Sequence, residues 1–399
     1  MTQRRLAALA AAGAFVFAAC TGGATQAPAS EAPASEAPAS EAPASEAPSA
    51  SAAGECIVGV SWNNFQQPRW AATDQPNMKA TIEAGGGTML EFDANLDSNQ
   101  QLTDVETLIS QGARVLVLLA QNQEAILPAV QRAKEEGIPV IAYDRLIEDP
   151  DILYITFDNI GVGRAEAEAL LAKVPSGNYV LIKGDPGDPN ASTFLPQGWD
   201  EAGLKAKVDS GEITILADQF TDAWDTQTAQ NNMEAIIDKA NADGVTIDAV
   251  LAENDSTALG VAAALVAKSY DPYPPVSGQD GDPANLNNVA KGLQYVDVWK
   301  NSNELGKAAG AAALELCKGT AVADLTIPDG VIQPSVAPAA GLSVQDFETP
   351  GGNTVKSLIL QPTPITAENL NEVLDGGWIT KEVLCEGVEA DDPGASVCA

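Results

Sequence analysis

The 399 residues contain no histidine. That excludes histidine-based catalytic triads and the commonest zinc ligand sets, and it leaves no side chain that ordinarily titrates near neutral pH. An enzyme is disfavoured on this ground, although carboxylates alone can run glycoside hydrolysis. Positive charge is scarce too, with 21 Lys and Arg against 55 Asp and Glu. Nucleic acid and anionic lipid surfaces would be repelled, so neither is an expected partner. The acidic surplus reads as solubility or adaptation to salt. Phosphate-cradling loops are missing as well: there is no Gly-x-x-x-x-Gly-Lys-Ser/Thr run and no Gly-x-Gly-x-x-Gly after a strand pattern. The Gly85-Gly86-Gly87 triplet precedes a strand pattern and reads as a helix stop.

What is present begins with an address. Arg4 and Arg5 precede an apolar run from Leu6 to Phe17 that is too short to span a bilayer, and Ala18-Ala19-Cys20 closes it. A basic start, a short apolar core and small residues before a cut site predict an export signal over residues 1–19. The cysteine after the small residues resembles the bacterial lipobox, with Phe17 where an aliphatic residue is usual. Cys20 is therefore the expected lipidation site, with plain secretion as the alternative. Residues 20–54 follow as a tether, with Pro28, Pro33, Pro38, Pro43 and Pro48 recurring every five residues. Proline at that spacing forbids a lasting helix, and nothing there can build a core. The chain is expected outside the cytoplasm, on the outer face of the cell membrane or in a periplasm, touching membrane only through its anchor.

About 345 residues remain to fold, enough for one large or two ordinary domains. Four further cysteines, Cys56, Cys317, Cys385 and Cys398, suggest disulfides in an exported chain, with three possible connectivities. Cys385 and Cys398 bracket a polar terminal loop and are expected to pair locally. From Cys56 onward, strand patterns at 56–62, 88–92, 114–120, 138–142, 152–156, 178–183, 213–219, 248–252, 274–278 and 293–299 alternate with helical ones such as Asn122–Glu136 and Thr226–Ala242. Continuous apolar runs such as Val115–Leu119 suit parallel strands covered on both faces. The predicted fold class is α/β, doubly wound, and ten strands divide more simply into two sheets and two lobes.

Ligands of open α/β sheets bind beyond the carboxyl ends of the strands. Just past those ends stand Arg69-Trp70, Asp144-Arg145, Asp188 and Asn190, Trp224, Asn254, Asp280 and Lys300. The set suits a sugar. Carboxylates, amides and guanidinium each engage two adjacent hydroxyls, and indole faces cover C–H surfaces. Each residue has a plainer reading: Asp144-Arg145 as a local ion pair, either tryptophan as packing, Asp188 as a turn former, Asn254 as a helix cap, Lys300 as surface. Their joint placement at one edge favours the ligand. Asp93, Asn95, Asp97, Asn99 and Asp104 echo a calcium loop, but Ser98 stands where its glycine belongs and Asp104 where its glutamate belongs. A polar loop leading into a helix over Gln100–Gln111 explains them as well. No metal and no cofactor is expected.

Ala142-Tyr143-Asp144-Arg145, Phe157-Asp158-Asn159, Asn254-Asp255 with Thr257, Ser277-Gly278-Gln279-Asp280 and Val298-Trp299-Lys300 follow one another in an order and spacing that resemble the xylose-binding proteins of bacterial ABC importers, within the type I periplasmic-binding fold. The resemblance spans roughly 56–320 and, more loosely, 354–384. It implies two α/β lobes joined by three hinge crossings and closing on one monosaccharide, D-xylose first and glucose, galactose, arabinose or ribose as alternatives. Arg69, Asp144, Arg145, Asp188, Asn190, Asn254, Asp280 and Lys300 would bind hydroxyls, and Trp70 and Trp224 would cover the ring faces. It also implies lobes of 55–147 with 300–322 and of 148–295 with 354–366, a C-terminal tail from 367, and a Cys56–Cys317 bridge. The implied partner is an ABC permease, and the chain is expected to be a monomer and not an enzyme. A sugar sensor for a membrane receptor and a glycoside hydrolase using two of Asp144, Asp188 and Asp280 are the competing classes. Residues 321–353 are longer than the family's equivalent and receive no role.

Overall fold

The computed structural model describes residues 55–328, 330–337 and 342–399. The export signal, Cys20 and the tether lie outside the described residues. Among the described residues twelve strands form: β1 (Ile57–Trp62), β2 (Thr88–Asp93), β3 (Val115–Leu118), β4 (Val140–Tyr143), β5 (Leu153–Phe157), β6 (Gly177–Ile182), β7 (Ile213–Gln219), β8 (Ala249–Ala252), β9 (Asp297–Trp299), β10 (Gln345–Glu348), β11 (Thr354–Leu360) and β12 (Thr363–Ile365). Seven make the first sheet in the order β10-β11-β5-β4-β3-β1-β2. Every pair in it is parallel except β10 with β11. The second sheet is β7-β6-β8, continued by bridges from Val250 to Val276 and from Gln279 to Val298 and closed by the β9–β12 pair.

Each sheet is buried on both faces, as its continuous apolar strands require. Val58, Val60, Val115 and Val117 pack on one side of the first sheet with the helix Ser302–Cys317, while Leu116, Leu118 and Ala142 pack on the other with Val105, Leu108 and Val130. Tyr179, Leu181 and Leu251 against Val180, Ile182 and Val250 divide the second sheet in the same way.

Local chemistry sets the element ends. Asp225 accepts a bond from the Thr228 N–H at 2.7 Å and starts the helix Thr226–Asp243, and Gly244 stops it at φ 69°. The expected helix over Asn122–Glu136 begins only at Leu127, because Asn122 Oδ1 caps a preceding turn through Glu124 and Ala125. The expected strand 274–278 shrinks to one bridge at Val276, since Pro274 and Pro275 have no N–H for a ladder. The one expected over 293–299 shortens to β9, because Leu293 and Gln294 spend their N–H groups on Asn288 O at the end of the preceding helix.

The chain crosses between lobes three times: from β5 into the helix Asn159–Lys173, from β9 into Ser302–Cys317, and from β11 into β12. This differs from the expected boundaries. Both β5 and β11 belong to the first sheet, so the first crossing follows Phe157 rather than residue 147, and Thr354–Leu360 lies in lobe one. The tail from residue 367 packs on lobe two, where Leu370, Val373 and Leu384 join Leu286 and Val289. Cys56 is bonded to Cys317, with Cα atoms 5.7 Å apart, and Cys385 to Cys398.

Candidate functional site

The carboxyl ends of strands from both sheets converge on one cavity with about 270 Å³ of empty space, open solvent included. Its wall is made by Gln67, Arg69, Trp70, Asp144, Arg145, Asp188, Asn190, Trp224, Asn254, Gln279, Asp280 and Lys300. All ten residues singled out in the sequence are among them. Lobe one supplies Gln67 to Trp70 after β1 and Asp144-Arg145 after β4. Lobe two supplies Asp188 and Asn190 after β6, Trp224 after β7, Asn254 after β8 and Gln279-Asp280 from the bridged segment. Lys300 stands at the crossing after β9. The lobes are closed on one another, and Arg69, Asp144, Arg145 and Lys300 are all under 5% exposed.

Two ion groups occupy the wall. Arg69 donates Nε and Nη2 to Asp74 at 3.2 and 3.0 Å, lies 3.2 Å from Asp144, and reaches across the cleft from Nη1 to Asp280 at 2.9 Å. Lys300 Nζ stands 3.1 Å from Asp280 and 3.9 Å from Asp144. The second group also spans the cleft, with Arg145 Nε 2.9 Å from Asp188. Burial works against the Arg69 charge, but Asp74, Asp144 and Asp280 outweigh it and hold the guanidinium pKa well above its usual range. Burial likewise pushes the Asp144 carboxyl up, and Arg69, Lys300 and Arg145 more than reverse it. The wall thus carries three cations and three carboxylates.

Several plainer readings hold alongside placement in the cavity. Asn254 Oδ1 caps the helix Asp255–Ala267 through the Thr257 N–H at 2.9 Å, which leaves its amide NH₂ uncommitted to the cap. Asp188 Oδ1 shapes its turn by accepting from the Asn190 N–H, while Oδ2 faces Arg145. Trp70 packs in the lobe-one core, donates Nε1 to Gln67 Oε1 at 2.7 Å and carries the Arg69 guanidinium 4.2 Å from its ring centre. Trp224 lies against the backbone of Gly184, where a Cβ would fall 2.2 Å from the ring. Its Nε1 is buried with no hydrogen-bond partner among the described residues, as is Gln279 Oε1.

The backbone is strained at the same place. Among the described residues, Asp144 (φ 61°), Trp224 (φ 57°) and Asp280 (φ 109°) all have positive φ and all line the cavity. Such conformations persist only where surrounding structure enforces them, and they cluster at ligand sites.

Sequence reasoning missed Gln67, Gln279 and the wall's support, Asp74. Gln279 lies inside the motif around Asp280, and Gln67 stands two places before Arg69, so position alone could have flagged both. Asp74, one helical turn beyond Arg69, also accepts from Tyr143 OH at 2.6 Å. The acidic loop at 93–104 is accounted for locally: Asp93 accepts from the Asn95 N–H, and Asp97 caps the helix Ser98–Ser110. No group of three or more His, Cys, Asp or Glu among the described residues could hold a metal ion.

This arrangement can engage a ring of hydroxyls from both sides and cover its apolar faces. The periplasmic binding protein domain matches over residues 58–321. The D-xylose-binding periplasmic protein of Escherichia coli (strain K12) is 37% identical over 281 residues, covering 70% of this chain and 83% of that protein. The D-xylose-binding periplasmic protein of Haemophilus influenzae is 32% identical, covering 82% of this chain and 91% of that one. Among solved structures, an ABC transporter solute binding protein from Clostridium phytofermentans with bound β-D-glucose superposes with a TM-score of 0.72 at 33% identity, over 82% of this chain and 99% of that one.

Proposed function

The chain belongs to the periplasmic binding protein family, and from that premise we propose that it captures one neutral monosaccharide, D-xylose first, by closing its lobes and delivers it to an ABC permease. It is a sugar-binding extracytoplasmic component of an importer, and its relatives are binding proteins rather than enzymes. The observation that carries the reading is the cavity wall, drawn from both lobes, with its three cations matched by three carboxylates. Each cation so arranged already faces a carboxylate, leaving no unpaired charge for an acid or amine to answer, while the charged side chains retain capacity for hydroxyls.

Arg69, Asp144, Arg145, Asp188, Asn190, Asn254, Asp280 and Lys300 are assigned to hydroxyls, and Trp70 and Trp224 to the ring faces. Closure follows because each lobe holds only part of these groups, so a sugar gains its full set only when the lobes meet. Glucose is the second reading, favoured by the 33% identical structure that binds it. Cys20 is assigned as the acylated residue that ties the tether to the membrane. Replacement by serine should release the protein from the membrane fraction.

Calorimetric titration of the mature chain against D-xylose, D-glucose, D-galactose, L-arabinose and D-ribose tests the proposal. One tight ligand is expected, with xylose ahead. Binding of none of them, or equal binding of glucuronate, would overturn the neutral-sugar reading.

A further inference from the structure

We propose that the hairpin of β11 with β10, the latter in the segment for which the sequence offers no role, is a noncovalent link across the hinge, and that Phe347 is the positioning residue through which it holds the lobes closed. The proposal rests on the reading of this chain as a closing binding protein.

Phe347 sits on β10 opposite Val355 of β11, at the edge of the first sheet. Its ring meets Tyr154 of lobe one at 5.6 Å and 62°, and Phe194 of lobe two at 5.5 Å and 75°. Both are edge-to-face contacts in the favourable range. Phe194 ends the helical turn Asn190–Phe194, yet it is 3% exposed because it is buried in the core of the other lobe, with Ala142, Ile152, Tyr154 and Val355. The same turn begins with Asn190, which lines the cavity and accepts a bond from Asn159 at the first crossing. Phe347 therefore backs, through Phe194, the turn that presents a lobe-two wall residue.

The hairpin also grips the lobe-one half. Glu148 accepts from the Gly351 N–H at 2.9 Å, Thr349 Oγ1 at 3.0 Å and Asn353 Nδ2 at 3.2 Å. Glu148 lies on the loop that begins with Asp144 and Arg145, and Tyr154 donates its hydroxyl to Asp144 O at 3.3 Å. One hairpin is thus fastened behind both halves of the site. Beside it, Phe157, Asn159, Ile160, Phe194 and Phe347 line a small pocket. Opening the lobes withdraws Phe194 from the two rings and exposes apolar surface. Sugar affinity then scales with the fraction of molecules in the closed state.

The test places nitroxide labels at Leu127→Cys in lobe one and Val266→Cys in lobe two, both exposed, in the full-length mature chain with its disulfides intact. Interlabel distances are followed through titration with each sugar of the panel. Phe347→Ala is expected to shift the distribution toward longer distances and to weaken binding ~5–10-fold, mostly through faster release. Phe347→Leu, which keeps apolar volume and guards against misfolding, should shift it less and in the same direction. Gln345→Ala, exposed on the same strand, should change nothing. Folded Phe347→Ala and Phe347→Leu proteins whose distributions overlay the unsubstituted one at every sugar concentration would overturn the proposal. If the unsubstituted chain bound no sugar, the functional reading would fall instead, and the distances measured without ligand would still decide the role of Phe347.

Discussion

Arg69 and Asp280 come from opposite lobes and meet at 2.9 Å inside the cavity wall, with side chains 4% and 10% exposed. The contact ties ligand recognition to closure, because Asp280 gains its guanidinium partner only when the lobes meet. Arg69 also satisfies Asp74 and Asp144, so its removal leaves three buried carboxylates short of their shared cation, with Lys300 as the remaining ion-pair partner of Asp144 and Asp280. Arg69→Met should therefore destabilise the folded protein by about 3–5 kcal/mol, the usual cost of an uncompensated buried charge. Asp280→Asn keeps the shape and is milder. It should weaken sugar binding ~10–100-fold, as expected for a lost charged hydrogen bond. Thermal melting and calorimetry read the two effects separately.

Trp224 offers a second, independent test. Its ring rests on the bare backbone of Gly184, and a Cβ there would fall 2.2 Å from Cε3 and Cζ3. Gly184→Ala must displace the indole, so binding should fall sharply while secondary structure is retained. Trp224→Phe keeps a ring face but loses the unpartnered Nε1 donor. That loss should cost only ~5-fold, about one neutral hydrogen bond. A Gly184→Ala protein with unaltered affinity would remove Trp224 from the ligand's wall.

Much of this site was legible because strand polarity is legible. Apolar runs such as Val115–Leu118 fix where a parallel strand ends, and the residue after that end has nowhere to go but the cleft. Asp144, Asp188, Asn254 and Lys300 follow that rule and share one cavity. Gln67 and Gln279 were overlooked because an uncharged amide near a strand end is unremarkable until its neighbours are seen. Asp74 was overlooked because its role is to hold Arg69, and pairing across a helical turn leaves no mark in composition. The hairpin was invisible for another reason: Gln345–Glu348 has one apolar residue in four, and only pairing with β11 makes it a strand. The lobe boundary was misplaced because β5 and β11 read as strands of either sheet until their partners are known.

The two disulfides should differ in effect. Cys56–Cys317 closes a span of 261 residues and joins the start of β1 to the end of the last lobe-one helix. Cys385–Cys398 closes only 13, at the tail. Loop-closure entropy assigns about 3 kcal/mol to a short loop and nearer 5 to a very long one. Replacing Cys56 and Cys317 together by alanine should lower the melting temperature more than replacing the tail pair. Equal losses would show that the tail packing on Leu286 and Val289 matters as much as chain entropy.

The carboxyl groups beneath Asp280 predict how stability responds to pH. Asp255 and Asp297 are fully buried; Asp255 accepts from the Asp282 N–H at 2.7 Å and Asp297 from the Gly281 N–H at 3.1 Å. Burial and then the charge of Asp297 push Asp255 well above the carboxylate range, burial and the charges of Asp282 and Asp280 do the same to Asp297, and burial with Asp280 pushes Asp282 up to about 7. A carboxyl whose pKa is raised by folding binds its proton more tightly in the native state. Its contribution to stability is complete below the unfolded value near 4 and is lost as pH rises through the folded value. The protein should accordingly melt at a higher temperature at pH 5.5 than at pH 8. General repulsion in a chain of net charge −34 acts in the same direction, so the slope alone is not diagnostic. Asp282→Asn separates the two causes: it removes one titrating group from the interval between about 4 and 7 and should flatten the profile there. An exposed control such as Asp243→Asn removes the same charge and should leave the slope in that interval intact. If both variants flattened it equally, surface repulsion would account for the whole response and the buried cluster for none of it.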